Sequence, residues 1–399
     1  MGEPPVRVAI NAQLVSFARS YRNAGVSRFT YTLLEGLSKA SSDQHYTVFV
    51  DRDQMTHIAQ APVARSPHLE FVPSAWATSR PERRILWEQA ILPGELRRHS
   101  VDVFHSPVNV LPPRLSCPAV VTIHDLAFVR YPQHFRPARR LYQRRFTARS
   151  ARAATLVVAV SESTRRDIAS EFGVPLDRIR VVHPAIDDDF APERDAQRLA
   201  AFKASHHLPE RYVLFLGTLE PRKNLERLVE AWAIVRERQR NTPGLVIAGA
   251  KGWYYHSLLE RVRTLGLEDA ITFAGYISRE DQPLWYSGAE LFVYPSVYEG
   301  FGLPVVEALA CGTPVITSNV SSMPESGGSL ARLIDPLDVN GMAFAILQTL
   351  SDSGMRERTL REGPLWGQAF SAGRMAQRYI EIYAEAVALA RESRMKRKR

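Results

Sequence analysis

An α/β fold of two tandem doubly wound, Rossmann-like domains is what the sequence predicts, and three observations carry that expectation. Short runs rich in valine and isoleucine recur, helix-length segments separate them, and the pattern restarts after a polar stretch near the middle of the chain. Unbroken apolar runs belong to strands buried on both faces of a parallel sheet. Strands alternating with helices then wind such a sheet with helices on either side. At 399 residues, with 45% hydrophobic and 23% charged content, the chain has the material for two globular domains.

The first series of runs is VRVAIN (6–11), YTVFV (46–50), VDVFHS (101–106), AVVTIHD (119–125), TLVVAVS (155–161) and IRVVH (179–183). It predicts a first domain over 1–186. HPAIDDDFAPERD (183–195), with two prolines and five acidic residues, followed by a short helix before Pro209, reads as a linker over 187–208. The second series is YVLFLG (212–217), GLVIAG (244–249), ITFAG (271–275), ELFVYPS (290–296), PVITS (314–318) and LARLID (330–335), a second domain over 209–371. A helix within 372–399 follows the completed second sheet and is free to return to the first domain. Ligands of doubly wound sheets bind beyond the carboxyl ends of the strands, so two such domains are expected to face a cleft there.

Two cysteines, Cys117 and Cys311, exclude a disulfide framework and a cysteine-based zinc site. The N-terminus carries no secretory pattern and no stretch of about 18 apolar residues occurs, so a cytoplasmic protein is expected. The net charge of +9 is uneven: no acidic residue lies between Asp125 and Glu162, where Arg136, Arg139, Arg140, Arg144, Arg145, Arg149 and Arg152 fall on one expected helix, and the chain ends MKRKR. A solvated basic helix with a basic tail is one reading, and peripheral contact with anionic membrane or a lipid-diphosphate acceptor is the other. No nucleic-acid motif accompanies the charge, and no nucleic-acid partner is expected.

The strongest motif is Glu299-Gly300-Phe301-Gly302-Leu303-Pro-Val-Val-Glu307, directly after the run ELFVYPS. Glycines let backbone approach a ligand, proline suits a first helical turn, and free N–H groups at a helix start favour an anionic or oxygen-rich partner. Glu299 is expected in the loop and Glu307 in the first helical turn, so that both carboxylates face one pocket; the alternative is that Glu307 only complements the helix dipole. The second motif, Gly217-Thr218-Leu-Glu-Pro-Arg222-Lys223-Asn224, brings two cations to the end of another strand, where a diphosphate fits. His124 follows AVVTI and points the same way, either toward a ligand or into a local hydrogen bond. Gly25, in AGVSRF (24–29), opens a helix after the first strand, and Ser161 reads as a helix N-cap.

EGFGLPVVE and GTLEPRKN, together with ITFAGYISREDQPLWYSGAELFVYPS and CGTPVITSNVSSMPE, resemble glycosyltransferase family 4, over nearly the whole chain. The resemblance implies the GT-B arrangement and transfer of a sugar, with retention, from a nucleotide diphosphate-sugar bound to the second domain. It implies that Glu299 and the N–H groups of Phe301 and Gly302 hold the donor sugar, that Glu307 takes the ribose hydroxyls, and that Arg222 and Lys223 neutralise the departing diphosphate. It also implies that His124 contacts the donor sugar and that the Gly25 loop lies on the acceptor side. Thr218 stands where family members often have arginine, and Ser27 where they often have a second glycine. GTLEPRKN and RRILWEQAILP (83–93) are similar to the branch of mannosyltransferases that build bacterial surface polysaccharide, which makes GDP-mannose the favoured donor and a glycan or lipid-linked molecule the acceptor.

No cofactor and no metal are expected: the Asp-x-Asp triplet DDD at 187–189 falls in the linker, outside the two strand-following motifs. Two other classes stay open. A nucleotide-sugar epimerase or hydrolase would use the same donor pocket, whereas a non-catalytic protein binding polyanion or polysaccharide would have no use for Glu299 and Glu307.

Overall fold

The computed structural model describes residues 5–17, 25–40, 44–239, 241–250, 252 and 255–398. Two compact units are present: Met1–Ala185 with Ala372–Arg399, and Ile186–Ser371. Residues 187–208, expected as a linker, therefore belong to the second unit. Phe190 buries its ring near Tyr286, and Asp195 caps the helix Ala196–Ser205 by accepting from the N–H groups of Gln197 and Arg198.

The first unit holds a parallel seven-stranded sheet of β1 (Arg7–Asn11), β2 (His45–Val50), β3 (Leu69–Pro73), β4 (Val103–Ser106), β5 (Ala119–Ile123), β6 (Leu156–Ala159) and β7 (Ile179–Val181), in the order β3-β2-β1-β4-β5-β6-β7. The reversal of order at β1 places its switch point between β1 and β4, beside Asn11 and the helix Val26–Lys39. β3 was not expected from the sequence. As an edge strand with most side chains part-exposed, LEFVP lacks the unbroken apolar run of the central strands.

The C-terminal helix Ala372–Lys398 packs in this first unit, against the helix Val26–Lys39. Its anchor is polar as well as apolar. His105, fully buried in β4, pairs through Nδ1 with the Tyr383 hydroxyl at 2.7 Å and through Nε2 with Thr122 Oγ1 at 2.9 Å, and Thr122 meets Tyr379 at 2.8 Å. The Tyr379 ring stacks on the His105 imidazole at 4.9 Å. Burial lowers the His105 pKa to about 3, helped by the nearby His124 imidazole, so the ring is neutral.

The second unit holds a parallel six-stranded sheet of β8 (Tyr212–Leu216), β9 (Gly244–Ala248), β10 (Ile271–Gly275), β11 (Leu291–Tyr294), β12 (Val315–Ser318) and β13 (Arg332–Ile334), in the order β10-β9-β8-β11-β12-β13. Every side chain of β8, β11 and β12 is buried, as continuous apolar runs require. The switch point here lies between β8 and β11, which are paired neighbours, and both strong motifs follow those two strands. Among the described residues no helix is long and apolar enough to cross a membrane.

Candidate active site

After β8 the chain makes a short 3-10 turn, Pro221–Lys223, and Asn224 takes left-handed backbone (φ 61°) before the helix Leu225–Arg238. Arg222 and Lys223 therefore sit in the turn rather than in the helix. After β11, the loop of Glu299 leads to Gly302, whose φ of 103° is a region L side chains rarely adopt, and the helix Leu303–Ala310 begins at once. Glu307 falls in the second turn of that helix, not the first. Starting at Leu303, the helix places only residues 303–306 beside the exposed N–H groups, so dipole complementation does not account for Glu307.

The two loops meet in one ion cluster. Glu299 Oε2 accepts from Arg222 Nη1 at 3.0 Å, while Oε1 accepts from Ser296 Oγ at 2.8 Å, from the Tyr294 hydroxyl at 3.2 Å and from Lys223 Nζ. Lys223 also donates to the Tyr294 hydroxyl at 2.5 Å, and Arg222 pairs with Glu220 at 2.7 Å. Burial acts to raise the Glu299 carboxyl, but the charges of Arg222 and Lys223 outweigh it and hold the group down to about 2. Burial lowers the Lys223 ammonium, with Glu299 partly offsetting it. The carboxylate is ionised, and two cations stand together at the end of β8.

Serines from the segment after β12 hold the loop in place. Ser321 Oγ accepts from Glu299 N–H at 3.1 Å, and Ser322 Oγ lies 2.9 Å from the carbonyl oxygens of both Glu299 and Phe301. Glu307, 3% exposed, has its own partners: Oε1 accepts from Arg279 at 2.7 Å and Oε2 from the Tyr286 hydroxyl at 3.0 Å. The two carboxylates thus stand in separate hydrogen-bonded clusters. Gly217 follows β8, its N–H donating to Ala248 O at 3.0 Å, and Thr218 is exposed beside it. Tyr294, Ser296, Ser321, Ser322 and Arg279 were missed in the sequence. The last three follow strands at the same edge of the sheet, the signal by which they were findable.

In the first unit, Gly25 caps the helix Val26–Lys39 with φ 57° and ψ −124°, and Ser27 Oγ accepts from Ser16 N–H at 2.9 Å. Serine at 27 thereby ties the post-β1 loop to the helix start; Ala24 lies outside the described residues. His124 Nε2 donates to the Pro107 carbonyl at 2.7 Å, and its ring meets Phe29 edge-on at 4.6 Å. Burial lowers its pKa, so the ring is held neutral with Nδ1 as its acceptor. Ser161 accepts from Thr164 N–H at 2.9 Å, an N-cap as the sequence indicates. In RRILWEQAILP, Glu88 is buried on a π turn (Trp87–Ile91) and accepts from Asn11 Nδ2 at 3.0 Å. Among the described residues no three His, Cys, Asp or Glu side chains are grouped to hold a metal ion, and Cys117 and Cys311 are both free.

The model of the family described as Glycosyltransferase Family 4 matches residues 23–190, and that of Glycosyl transferases group 1 matches residues 197–366. The O-antigen chain mannosyltransferase B of Escherichia coli is 35% identical over 288 residues, which cover 72% of this chain and 75% of that protein. The chain belongs to glycosyltransferase family 4. Among solved structures, this glycosyltransferase is similar in fold to the sucrose-phosphate synthase of Thermosynechococcus elongatus (TM-score 0.73, 23% identity, 96% of this chain and 99% of that one). It is similar also to Anabaena HepE, solved with UDP and glucose (TM-score 0.70, 18% identity, 95% and 100%). Its two α/β units are therefore of the GT-B type, and the enzyme transfers a sugar from a nucleotide-sugar donor to an acceptor.

Proposed function

We propose that this glycosyltransferase moves mannose from GDP-mannose, with retention of configuration, to a glycan or lipid-linked acceptor in surface polysaccharide synthesis. The observation that carries the donor site is the cluster of Arg222, Lys223 and Glu299, at the switch point of the second sheet beside the start of the helix Leu303–Ala310. The likeness to the Escherichia coli O-antigen mannosyltransferase supports the choice of sugar.

In this reading the donor diphosphate lies against the cations Arg222 and Lys223 at the start of the helix Leu303–Ala310, and the N–H groups of Phe301 and Gly302 hold the donor sugar with Glu299. As the bond from the anomeric carbon to the diphosphate oxygen breaks, the growing negative charge meets donors already in place. The acceptor hydroxyl attacks from the face the diphosphate leaves and passes its proton to the departing diphosphate oxygen, which retains the configuration. Glu299 and the neutral His124 hold sugar hydroxyls, Glu307 accepts from the ribose diol, and Gly25 lets the acceptor-side loop approach. No metal takes part. The arginines of the helix Pro137–Ala153, mostly exposed, face anionic lipid at the cytoplasmic side of the membrane.

The test is transfer by the pure protein from GDP-mannose, UDP-glucose and ADP-glucose to a lipid-linked acceptor fraction, with EDTA present and the new linkage read by NMR. Mannose delivered as the α-anomer in EDTA supports the reading. Preference for another donor refutes the mannosyl assignment, a β-linkage refutes retention, and loss of transfer in EDTA refutes the metal-free scheme. Sedimentation with anionic vesicles tests the lipid contact, since equal recovery with neutral vesicles contradicts it.

A further inference from the structure

The cluster around Glu307 in the second unit includes a cation, Arg279, to which the transfer proposed above gives no part. Arg279 follows β10, at the carboxyl edge of the sheet. Its Nη1 donates to Glu307 Oε1 at 2.7 Å and to Gln282 Oε1 at 2.9 Å, its Nε donates to Asp187 Oδ2 at 3.0 Å, and the guanidinium lies over the Phe190 ring, 4.5 Å from the centroid. One planar cation thus serves two carboxylates, a task that suits the fork of arginine and not the point charge of lysine. Burial disfavours the guanidinium's charge, and Glu307 and Asp187 more than restore it.

A carboxylate as buried as Glu307 is costly unless both oxygens are satisfied. Arg279 takes one oxygen and Tyr286 the other, which fixes the plane of the carboxylate and leaves each oxygen a second lone pair. Asp187, the other partner, is the second residue of the unit, just past the point where the chain enters it. The neighbouring Ile186 N–H donates to Phe370 O at 2.9 Å, and the Phe370 ring packs at 5.4 Å on that of Phe301 in the Glu299 loop. Both ends of the second unit are therefore anchored on elements of the candidate donor site.

We propose that Arg279 is a positioning residue of the donor site, which holds Glu307 oriented for the ribose 2′- and 3′-hydroxyls of the nucleotide and ties that carboxylate through Asp187 to the entering segment. This rests on the reading of Glu307 as the ribose ligand. The consequence is specific: Arg279 governs discrimination for the ribose diol, not affinity for the diphosphate.

The experiment is calorimetric titration of the full chain and of Arg279→Gln and Arg279→Lys with GDP and UDP and with their 2′,3′-dideoxy analogues, after thermal melts confirm folding. Wild type is expected to favour the ribonucleotide by about tenfold or more, as hydrogen bonds to a charged group do. In Arg279→Gln the preference falls to within about threefold, with dideoxynucleotide affinity kept, and Arg279→Lys lies between. A support with no role at the ribose would lower both ligands alike, and an unchanged ribose preference in either folded variant overturns the proposal. If Arg279→Gln does not fold, the lysine variant decides alone. A wild type that binds both sugars equally removes the ribose reading of Glu307 and this inference with it, whereas one that binds no nucleotide removes the donor site itself.

Discussion

Arg222 Nη1 donates to Glu299 Oε2 at 3.0 Å, so that a turn after β8 and a loop after β11 close on one ion pair. The pair exists because β8 and β11 are hydrogen-bonded neighbours at the point where strand order reverses. There the loops leaving two strands splay to opposite faces and open a site between them. Tyr294, Ser296 and Lys223 complete the cluster, and the carboxylate at its centre is the group the account depends on most.

Glu299→Gln keeps the shape and removes the charge. Transfer is expected to fall by about a hundredfold or more, a loss typical of a preorganised polar group at a reacting centre, while the variant remains folded. Steady-state rates with saturating donor check this, and a fall of less than about threefold would contradict the role.

The same residue sets an acid dependence. Its folded pKa, about 2, lies below the ordinary 4.5, so the stability it confers is fully present above pH 4.5 and is lost as pH falls toward 2. The contribution is on the order of 3 kcal/mol. Chemical denaturation of wild type and Glu299→Gln from pH 6 to pH 2.5 should show the two stabilities converging as acid is added.

His105 gives a dependence in a higher window. Buried neutral with a pKa near 3 against 6.5 when exposed, it takes up a proton more readily in the unfolded chain, so stability falls as pH drops from about 6.5 toward 3. His105→Gln is expected to flatten that part of the profile. Tyr383→Phe leaves His105 Nδ1 without its 2.7 Å partner and should cost about 1–3 kcal/mol at neutral pH. Melting curves of the three proteins test both statements.

Gly302→Ala strains the loop in two ways. Its φ of 103° disfavours any side chain, and an added Cβ would stand 2.3 Å from Met323 Cε. A cost of about 1–3 kcal/mol is expected, with nucleotide affinity reduced more than the melting temperature alone would suggest. Retained affinity would show that the loop tolerates the change without moving its N–H groups.

All twelve apolar runs named from the sequence are strands, most of them buried stretches of a parallel sheet. The thirteenth, the edge strand β3, escaped since Glu70 and Pro73 break its apolar run. At the site, the two motifs were legible because each begins just after a strand. Their partners were not: that Tyr294 and Ser296 turn toward Glu299, or that Arg279 bridges Asp187 and Glu307, follows from which strands are neighbours, which local sequence does not encode.

The central claim is that the second unit binds a nucleoside diphosphate through its two cations and Glu307. Calorimetric titration of the protein and of Glu307→Ala with GDP, UDP, ADP and GDP-mannose tests it most directly. The account predicts saturable binding, strongest for the guanine nucleotides and weakened about tenfold or more in the variant. Absence of heat with every nucleotide, or equal affinity in the variant, would contradict it.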